Sequence, residues 1–321
     1  MLFRSAEASG LALRDTDPVT TGNAYVGGVS RANDATTAYL NPAGMAWLDH
    51  SEIETTVTMI DPGDHIHNAF GTDAAGAPVI GNTSGKAVFT GATGGAFGVF
   101  VLNDRIRVGY SFTTPYALRA SYPSLWVGRY NSLVTNITDY NLSLAASYKV
   151  NDHLSIGLGP QINFLQARFT QAIDLGALTA DPLNETIGAI NGNGFGFGYD
   201  VGLSYRFDDR TQIGINYRSR TTQNYSAKQE ISSSQELLSI PLIRQVFISQ
   251  SGHVNSQITL PDSVTFGATH WLTPKLALML EGSWTHWSLF DHFTFKSDAV
   301  PTTLQPLNWR NTWMGGIGAV Y

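Results

Sequence analysis

From residue 51 onward the chain alternates between bulky apolar and small or polar side chains. Ile53, Thr55, Val57 and Met59 share one parity, against Glu52, Glu54, Thr56 and Thr58 on the other. Ile106, Val108, Tyr110 and Phe112 alternate with Arg105, Arg107, Gly109 and Ser111, and Leu142, Leu144, Ala146 and Tyr148 with Asn141, Ser143, Ala145 and Ser147. The longest run is Phe195, Phe197, Tyr199, Val201, Leu203, Tyr205 and Phe207, interleaved with Gly194, Gly196, Gly198, Asp200, Gly202, Ser204 and Arg206. A period of two puts each set on one face of a strand. The pattern predicts about ten strands, at 51–60, 92–103, 105–118, 133–150, 153–169, 193–208, 210–226, 256–271, 275–296 and 309–321.

The connections fall into two kinds. Asn103-Asp104, Val150-Asn151-Asp152, Asp208-Asp209-Arg210 and Thr273-Pro274-Lys275 are tight-turn sequences. Long excursions occupy 61–90, 171–192 and 227–256. Short turns at one end and long loops at the other are the outer-membrane barrel pattern, with the long loops outside the cell. Several strands exceed the ~9–11 residues that a tilted strand needs to cross a bilayer, so their ends project beyond it. Alternation alone also fits a soluble sandwich, whose bulky face would fill a core.

Composition favours the membrane reading. Only 14% of the 321 residues are charged, with 32 Gly, 16 Phe, 13 Tyr and 7 Trp. Soluble domains are nearer a quarter charged. A net charge of −6 excludes a nucleic-acid partner, which needs a basic face. There is no cysteine, hence no disulfide framework and no thiolate metal site. No apolar run approaches the ~18–20 residues of a transmembrane helix, so any span is made of strands. Met1 to Ser5 lacks the apolar core of a signal peptide, and the expectation is a chain that begins at its mature plug.

Residues 1–48 carry neither period. They are rich in Ala, Gly, Thr and Asn, with Pro18 and Pro42 as breakers. Ala24-Tyr25-Val26-Gly27-Gly28, Asp34-Ala35-Thr36-Thr37 and Asn41-Pro42-Ala43-Gly44-Met45 follow one another there. Further on come the Gly194–Tyr205 strand, Asn216-Tyr217-Arg218-Ser219, Leu260-Pro261-Asp262 and Trp284-Thr285-His286-Trp287-Ser288-Leu289-Phe290. In this order and spacing the fragments resemble the FadL-type outer-membrane transporters of long-chain fatty acids and other hydrophobic compounds. The resemblance implies an all-β transmembrane antiparallel barrel with an N-terminal plug (hatch) at 1–48 and the barrel and its loops at 49–321. It also implies a location in the bacterial outer membrane, lipid around the barrel, and passage through the barrel-assembly machinery. Family barrels have fourteen strands, so about four are expected to be missing after Tyr321, the alternative being a contracted barrel.

Chemistry-bearing constellations are few. His65-Ile66-His67 has metal-clip spacing but sits in a Gly/Asp-rich loop without a third ligand. The Gly-x-Gly runs at 194–198 lead into no helix and are not phosphate cradles. There is no nucleophile elbow. The expectation is a passive, cofactor-free, metal-free channel rather than an enzyme. A fatty acid needs a greasy groove and a cationic or hydrogen-bonding anchor. On the predicted register Asn216, Arg218 and Arg220 face inward, with Asp200, Arg206 and Glu281, while Arg168 lies on a strand whose register Pro160 obscures. The ligand-binding candidates are Arg218 and Arg220, two cations on one face of one strand, with Asn216 and Arg168. They equally fit a lumenal ion-pair network.

The resemblance supplies the rest of the candidate machinery. Asn41, Pro42, Ala43 and Gly44 form a plug turn and candidate gate, with Asn41 placed to sense occupancy of the pocket. Pro115, with Gly109, Thr113, Thr114 and Tyr116, is placed to produce a lateral-opening kink in the third strand, because proline donates nothing to a ladder. A strand simply ending into a loop fits as well. Leu175, Leu178, Leu183, Ile187 and Ile190, with Leu237, Leu238, Ile240, Leu242 and Ile243, fit an outer capture site or a self-packed lid. The function implied is uptake of long-chain fatty acids or related hydrophobic molecules. The alternatives are a channel for aromatic hydrocarbons or other xenobiotics, a structural or adhesive envelope barrel, and a soluble sugar-binding sandwich.

Overall fold

A computed structural model describes residues 11–73, 76–176, 184–232, 238–290, 292–297, 303–306 and 308–321. The described residues form a fourteen-stranded sheet whose strand pairs are antiparallel. β1 (Glu52–Ile60), β2 (Gly91–Val101), β3 (Ile106–Ser121), β4 (Val134–Lys149), β5 (Leu154–Asp174) and β6 (Glu185–Arg206) pair in sequence order. Beyond them each span is split in two. β7 (Thr211–Arg218) and β8 (Thr221–Ser232) both pair with β6, then with β10 (Ser263–Thr273) and β9 (Gly252–Leu260). β11 (Leu276–Thr285) and β12 (His292–Ser297) continue them, followed by β14 (Thr312–Val320) and β13 (Thr303–Pro306). The fourteen strands therefore make the ten spans that the alternation predicts.

The two faces are inverted relative to a soluble sheet. Phe197 is 71% exposed and Phe195 55%, whereas Asp200 and Ser204, on the opposite parity of the same strand, are 5% and 0% exposed. An apolar face left bare beside a covered polar one is stable only where lipid meets the bare face. No helix among the described residues is long and apolar enough to cross a membrane.

Side-chain oxygens close the short turns. Asn103 Oδ1 accepts from the Arg105 and Ile106 amides, Asn151 Oδ1 from His153 and Leu154, Asp208 Oδ1 from Arg210 and Thr211, and Thr273 Oγ1 from Lys275 and Leu276. At the other end the strands run further than alternation suggests. β5 and β6 pair out to Asp174 and Glu185, and β8 extends to Ser232, so the excursions expected at 171–192 and 227–256 are partly strand. Ladder hydrogen bonds need no apolar side chain, and Gly188, Asn191, Gly192 and Asn193 hide the period there.

The N-terminal segment lies against the covered face. It contains α1 (Pro18–Gly22), α2 (Gly28–Arg31), α3 (Thr37–Leu40) and a 3₁₀ turn at Pro42–Trp47. Asp17 starts α1 by accepting from the Val19 and Thr20 amides at 2.9 Å each. Among the described residues a further α-helix, α4 (Pro241–Gln250), sits in the loop between β8 and β9.

Candidate functional site

The turn Asn41–Gly44 is buried throughout. Asn41 accepts from the Ala43 amide at 3.2 Å and donates to the carbonyls of Val29 at 2.8 Å and Leu203 at 3.2 Å. It thereby caps the 3₁₀ turn, ties it to α2 and fastens both to β6. The wall makes room with glycine. A Cβ on Gly202 would stand 2.1 Å from Asn41 Oδ1, and one on Gly157 would stand 2.3 Å from the Ala43 nitrogen. Further ties come from Glu281, whose Oε2 accepts from the Gly27 and Val29 amides, and from Trp47, whose Nε1 donates to Ser204 Oγ at 2.9 Å.

Arg218 is 9% exposed and points to this covered face. Its Nε donates to Asp200 Oδ1 at 3.0 Å and its Nη2 to the Tyr39 carbonyl at 2.8 Å, with the guanidinium 3.8 Å from the Tyr39 ring centroid. Its Nη1 is buried without a hydrogen-bond partner. Asn216, also buried, donates weakly to the same Asp200 oxygen at 3.5 Å. Arg218 borders a cavity of about 150 Å³ that Arg14, Leu13, Tyr39, Tyr116 and Glu281 also line. Roughly five waters fit such a space, at ~30 Å³ each. Burial lowers the pKa of Arg14 from its ordinary value, opposed by Glu281.

Two ligand candidates are not part of this site. Arg220 is exposed and faces away from Arg218, 3.6 Å from Asp262 Oδ1. β7 ends at Arg218 and β8 begins at Thr221, and the pairing with β6 shifts by one residue across the gap. That extra residue reverses the parity, so Thr221 is buried and Arg220 turns out. Arg168 is exposed on the face of Ile156, Leu158 and Ile162. β5 pairs with β6 without a shift through Pro160, so Arg168 keeps that outward parity.

At the third strand β2 stays paired only as far as Gly95 opposite Thr113. The pairing with β4 shifts between Thr113 and Tyr116, across Thr114 and Pro115. Beyond that point the N-terminal segment takes the edge that β2 leaves. The Leu13 amide donates to the Pro115 carbonyl at 2.8 Å, and the Ala117 amide to the Leu11 carbonyl at 3.0 Å. Gly109 is not part of the break. It lies in unbroken ladder, opposite Val99 and Ala145, where a Cβ would stand 2.7 Å from Met45 Sδ.

Above this level the covered face changes character. Tyr116, Ile137, Leu165, Tyr225, Ile258, Leu260, Trp287 and Phe290 form one buried cluster, with Leu11 of the N-terminal segment inserted in it. Trp287 meets Tyr116 and Trp309 edge-on, at 6.0 and 5.0 Å between centroids, and its indole N–H is buried without a partner. Sequence reasoning missed this cluster. The available signal was a change along one parity, from Asn163, Gln161 and Asn141 to Leu165, Ala167 and Ile137.

Among the loop apolars, Leu175 and Ile243 pack with Phe247 in a buried cluster, supported by Ile173 and Ile231. Ile187, Leu238 and Ile240 are exposed, and Ile190 packs against the large aromatic cluster. Leu178, Leu183, Leu237 and the side chain of Leu242 lie outside the described residues. His65 and His67 meet edge-on at 4.3 Å, and no group of three or more metal-ligating side chains occurs among the described residues.

An antiparallel sheet whose bare face is apolar and whose covered face is polar is the arrangement of an outer-membrane β-barrel. The chain belongs to the family described as outer membrane protein transport protein (OMPP1/FadL/TodX), which it matches over residues 1–321. It is an outer-membrane transporter of hydrophobic compounds. The long-chain fatty acid transport protein of Salmonella typhi is 27% identical over all of this chain and 76% of its own length. That of Escherichia coli K12 is 25% identical, with the same coverage of each chain. Among solved structures, a Pseudomonas aeruginosa FadL homologue superposes with a TM-score of 0.89 at 24% identity, over 97% of this chain and 77% of that one. The Ralstonia pickettii toluene transporter TbuX gives a TM-score of 0.62 at 15% identity, over 94% and 81%. Both of these fatty-acid relatives are named as transport proteins, in line with a role that is not enzymatic.

Proposed function

We propose that this chain takes up long-chain fatty acids or related hydrophobic molecules passively, with residues 1–48 as the plug and 49–321 as barrel wall and loops. The observation that carries the reading is the buried, partnerless Arg218 Nη1, on the face that turns apolar at Tyr116 and Trp287. A carboxylate would complete the guanidinium and an alkyl tail would replace Leu11 in the cluster. Trp287 Nε1 offers a second donor to a polar head. Asn41, Pro42, Ala43 and Gly44 are the gate in this reading. Substrate leaves sideways at Thr113–Tyr116, where the wall is completed by Leu11–Leu13 instead of β2. Surrounding outer-membrane lipid receives it, and barrel-assembly machinery inserts the chain.

The test is displacement of a fluorescent fatty acid by oleate. Removing Arg218 alone would strand Asp200, so the informative variant is Arg218→Gln/Asp200→Asn, which leaves no unpaired buried charge. Binding weakened about tenfold or more supports the anchor, since hydrogen bonds to charged groups contribute ~1.5–3 kcal/mol. Unchanged saturable binding transfers the lead to the second reading, a channel for aromatic hydrocarbons, which the fold shared with the toluene transporter favours. A wall that binds no hydrophobic molecule would instead be a structural or adhesive barrel.

A further inference from the structure

A second cavity, of about 230 Å³, lies away from Arg218, between the loop that joins β1 to β2 and the loop that joins β3 to β4. Its walls are Phe70, Tyr122 and Trp126, with Thr72 and Asn131 at its polar margin. Tyr122 and Trp126 are stacked at 4.8 Å with their planes 14° apart. Phe70 is 77% exposed at the cleft, although it belongs to no membrane-facing strand.

Backbone contacts build the cleft without any ligand. The Asn82 amide donates to the Leu125 carbonyl at 2.7 Å, the Val127 amide to the Asn82 carbonyl at 3.1 Å, and the Tyr122 amide to the Leu133 carbonyl at 2.8 Å. Gly71 lets the first loop lie on the second, since a Cβ there would stand 2.3 Å from the Val127 carbonyl oxygen. Arg129 clamps the arrangement, donating to the Ile80 and Trp126 carbonyls and pairing with Glu185. The site is preorganised, so binding does not have to order the loops first.

We propose that this cleft is an outer docking site for a single aromatic ring, carrying at most one small polar group. An apolar cavity of ~150 Å³ already accepts benzene, so the space here takes a toluene-sized molecule with room to spare. Flat aromatic walls favour a ring over a flexible chain, which loses more freedom on binding. Asn131, whose side chain makes no hydrogen bond among the described contacts, can meet a hydroxyl on that ring. The proposal rests on the reading of the chain as an uptake protein with its long loops outside.

The probe is 4-bromotoluene, whose bromine quenches indole fluorescence on contact, added to protein reconstituted in lipid vesicles. The expected result is a saturable quenching component above the linear part due to partition into lipid. That component should be relieved by p-xylene and lost in Trp126→Phe. Gly128→Ala keeps the fluorophore but sets a Cβ 2.5 Å from the Trp126 ring, and should weaken the component about tenfold. Should Trp126→Phe fail to fold, the alanine variant decides. Purely linear quenching, or a saturable component that survives in Trp126→Phe or is unmoved in Gly128→Ala, overturns the site. Relief by glucose but not p-xylene overturns the ring assignment. Arg218→Gln/Asp200→Asn should leave the quenching unchanged. Quenching that persists while oleate binding is absent keeps the cleft and removes the fatty-acid reading, and the converse removes only the cleft.

Discussion

Asn41 shows how much of the N-terminal segment depends on one side chain. Its amide satisfies a helix-turn nitrogen, a carbonyl of α2 and a carbonyl of β6 at once. Asn41→Ala removes the cap and leaves those buried groups unpaired, a cost of about 2–4 kcal/mol. Cleavage of the folded protein within residues 11–48 by trypsin, at Arg14 or Arg31, should accelerate by more than tenfold while the strands stay resistant. Gly202→Ala tests the same joint from the wall side and should loosen the segment similarly, because its Cβ has nowhere to go. Tyr25 gives the joint a pH limit. Burial, then its hydrogen bond to Asp15, pushes its hydroxyl up to about 12 from 10.0. A raised folded-state value means the contribution is full below pH ~10 and is lost as pH climbs from there through about 12. Tryptic cleavage of the segment should therefore rise across that alkaline window, and Tyr25→Phe should flatten the rise.

At the scale of the strands, the sequence was legible wherever lipid imposes the period. All ten predicted spans exist, because each needs an apolar face and turn chemistry at its short end. What alternation does not encode is the place where a strand is interrupted. The breaks at Ser219–Arg220 and at Pro261–Asp262 each keep the overall direction of the span, and the first of them reverses the side on which Arg220 emerges. Pro115 was readable, since a residue without an amide hydrogen marks where a ladder fails. The partner that fills the failure, Leu11–Leu13, was not, because no local rule pairs residues so distant in sequence. Pro115→Val restores a donor and a continuous β-preference, so β2 can compete for the edge. Fatty-acid uptake by cells carrying that variant should fall several-fold with surface levels unchanged, and full uptake would remove the seam from the route.

For the whole molecule, the question is whether the N-terminal segment must leave β3 for substrate to pass. The covered face is polar below the breaks and aromatic above them, and Leu11 occupies the aromatic part. That boundary was written along one parity of β4 and β5 but is recognisable only once the facing strands are assembled. A reversible lock tests the movement directly, and the absence of any native cysteine keeps it clean. Ala12 and Tyr116 face each other as an antiparallel bridge, flanked by bonds from Leu13 to Pro115 and from Ala117 to Leu11. That pattern makes them a non-hydrogen-bonded pair, for which a Cα separation of ~4.5 Å is usual, within the ~4.4–6.8 Å that a disulfide spans. In Ala12→Cys/Tyr116→Cys, oxidation should stop uptake and reduction should restore it to the level of Tyr116→Cys alone. The same oxidant should leave Ala12→Cys unaffected. Undiminished uptake in the oxidised, fully cross-linked protein would mean that substrate passes with the segment still fastened to β3, and the gate would have to be sought among the ties at Asn41 and Glu281 instead.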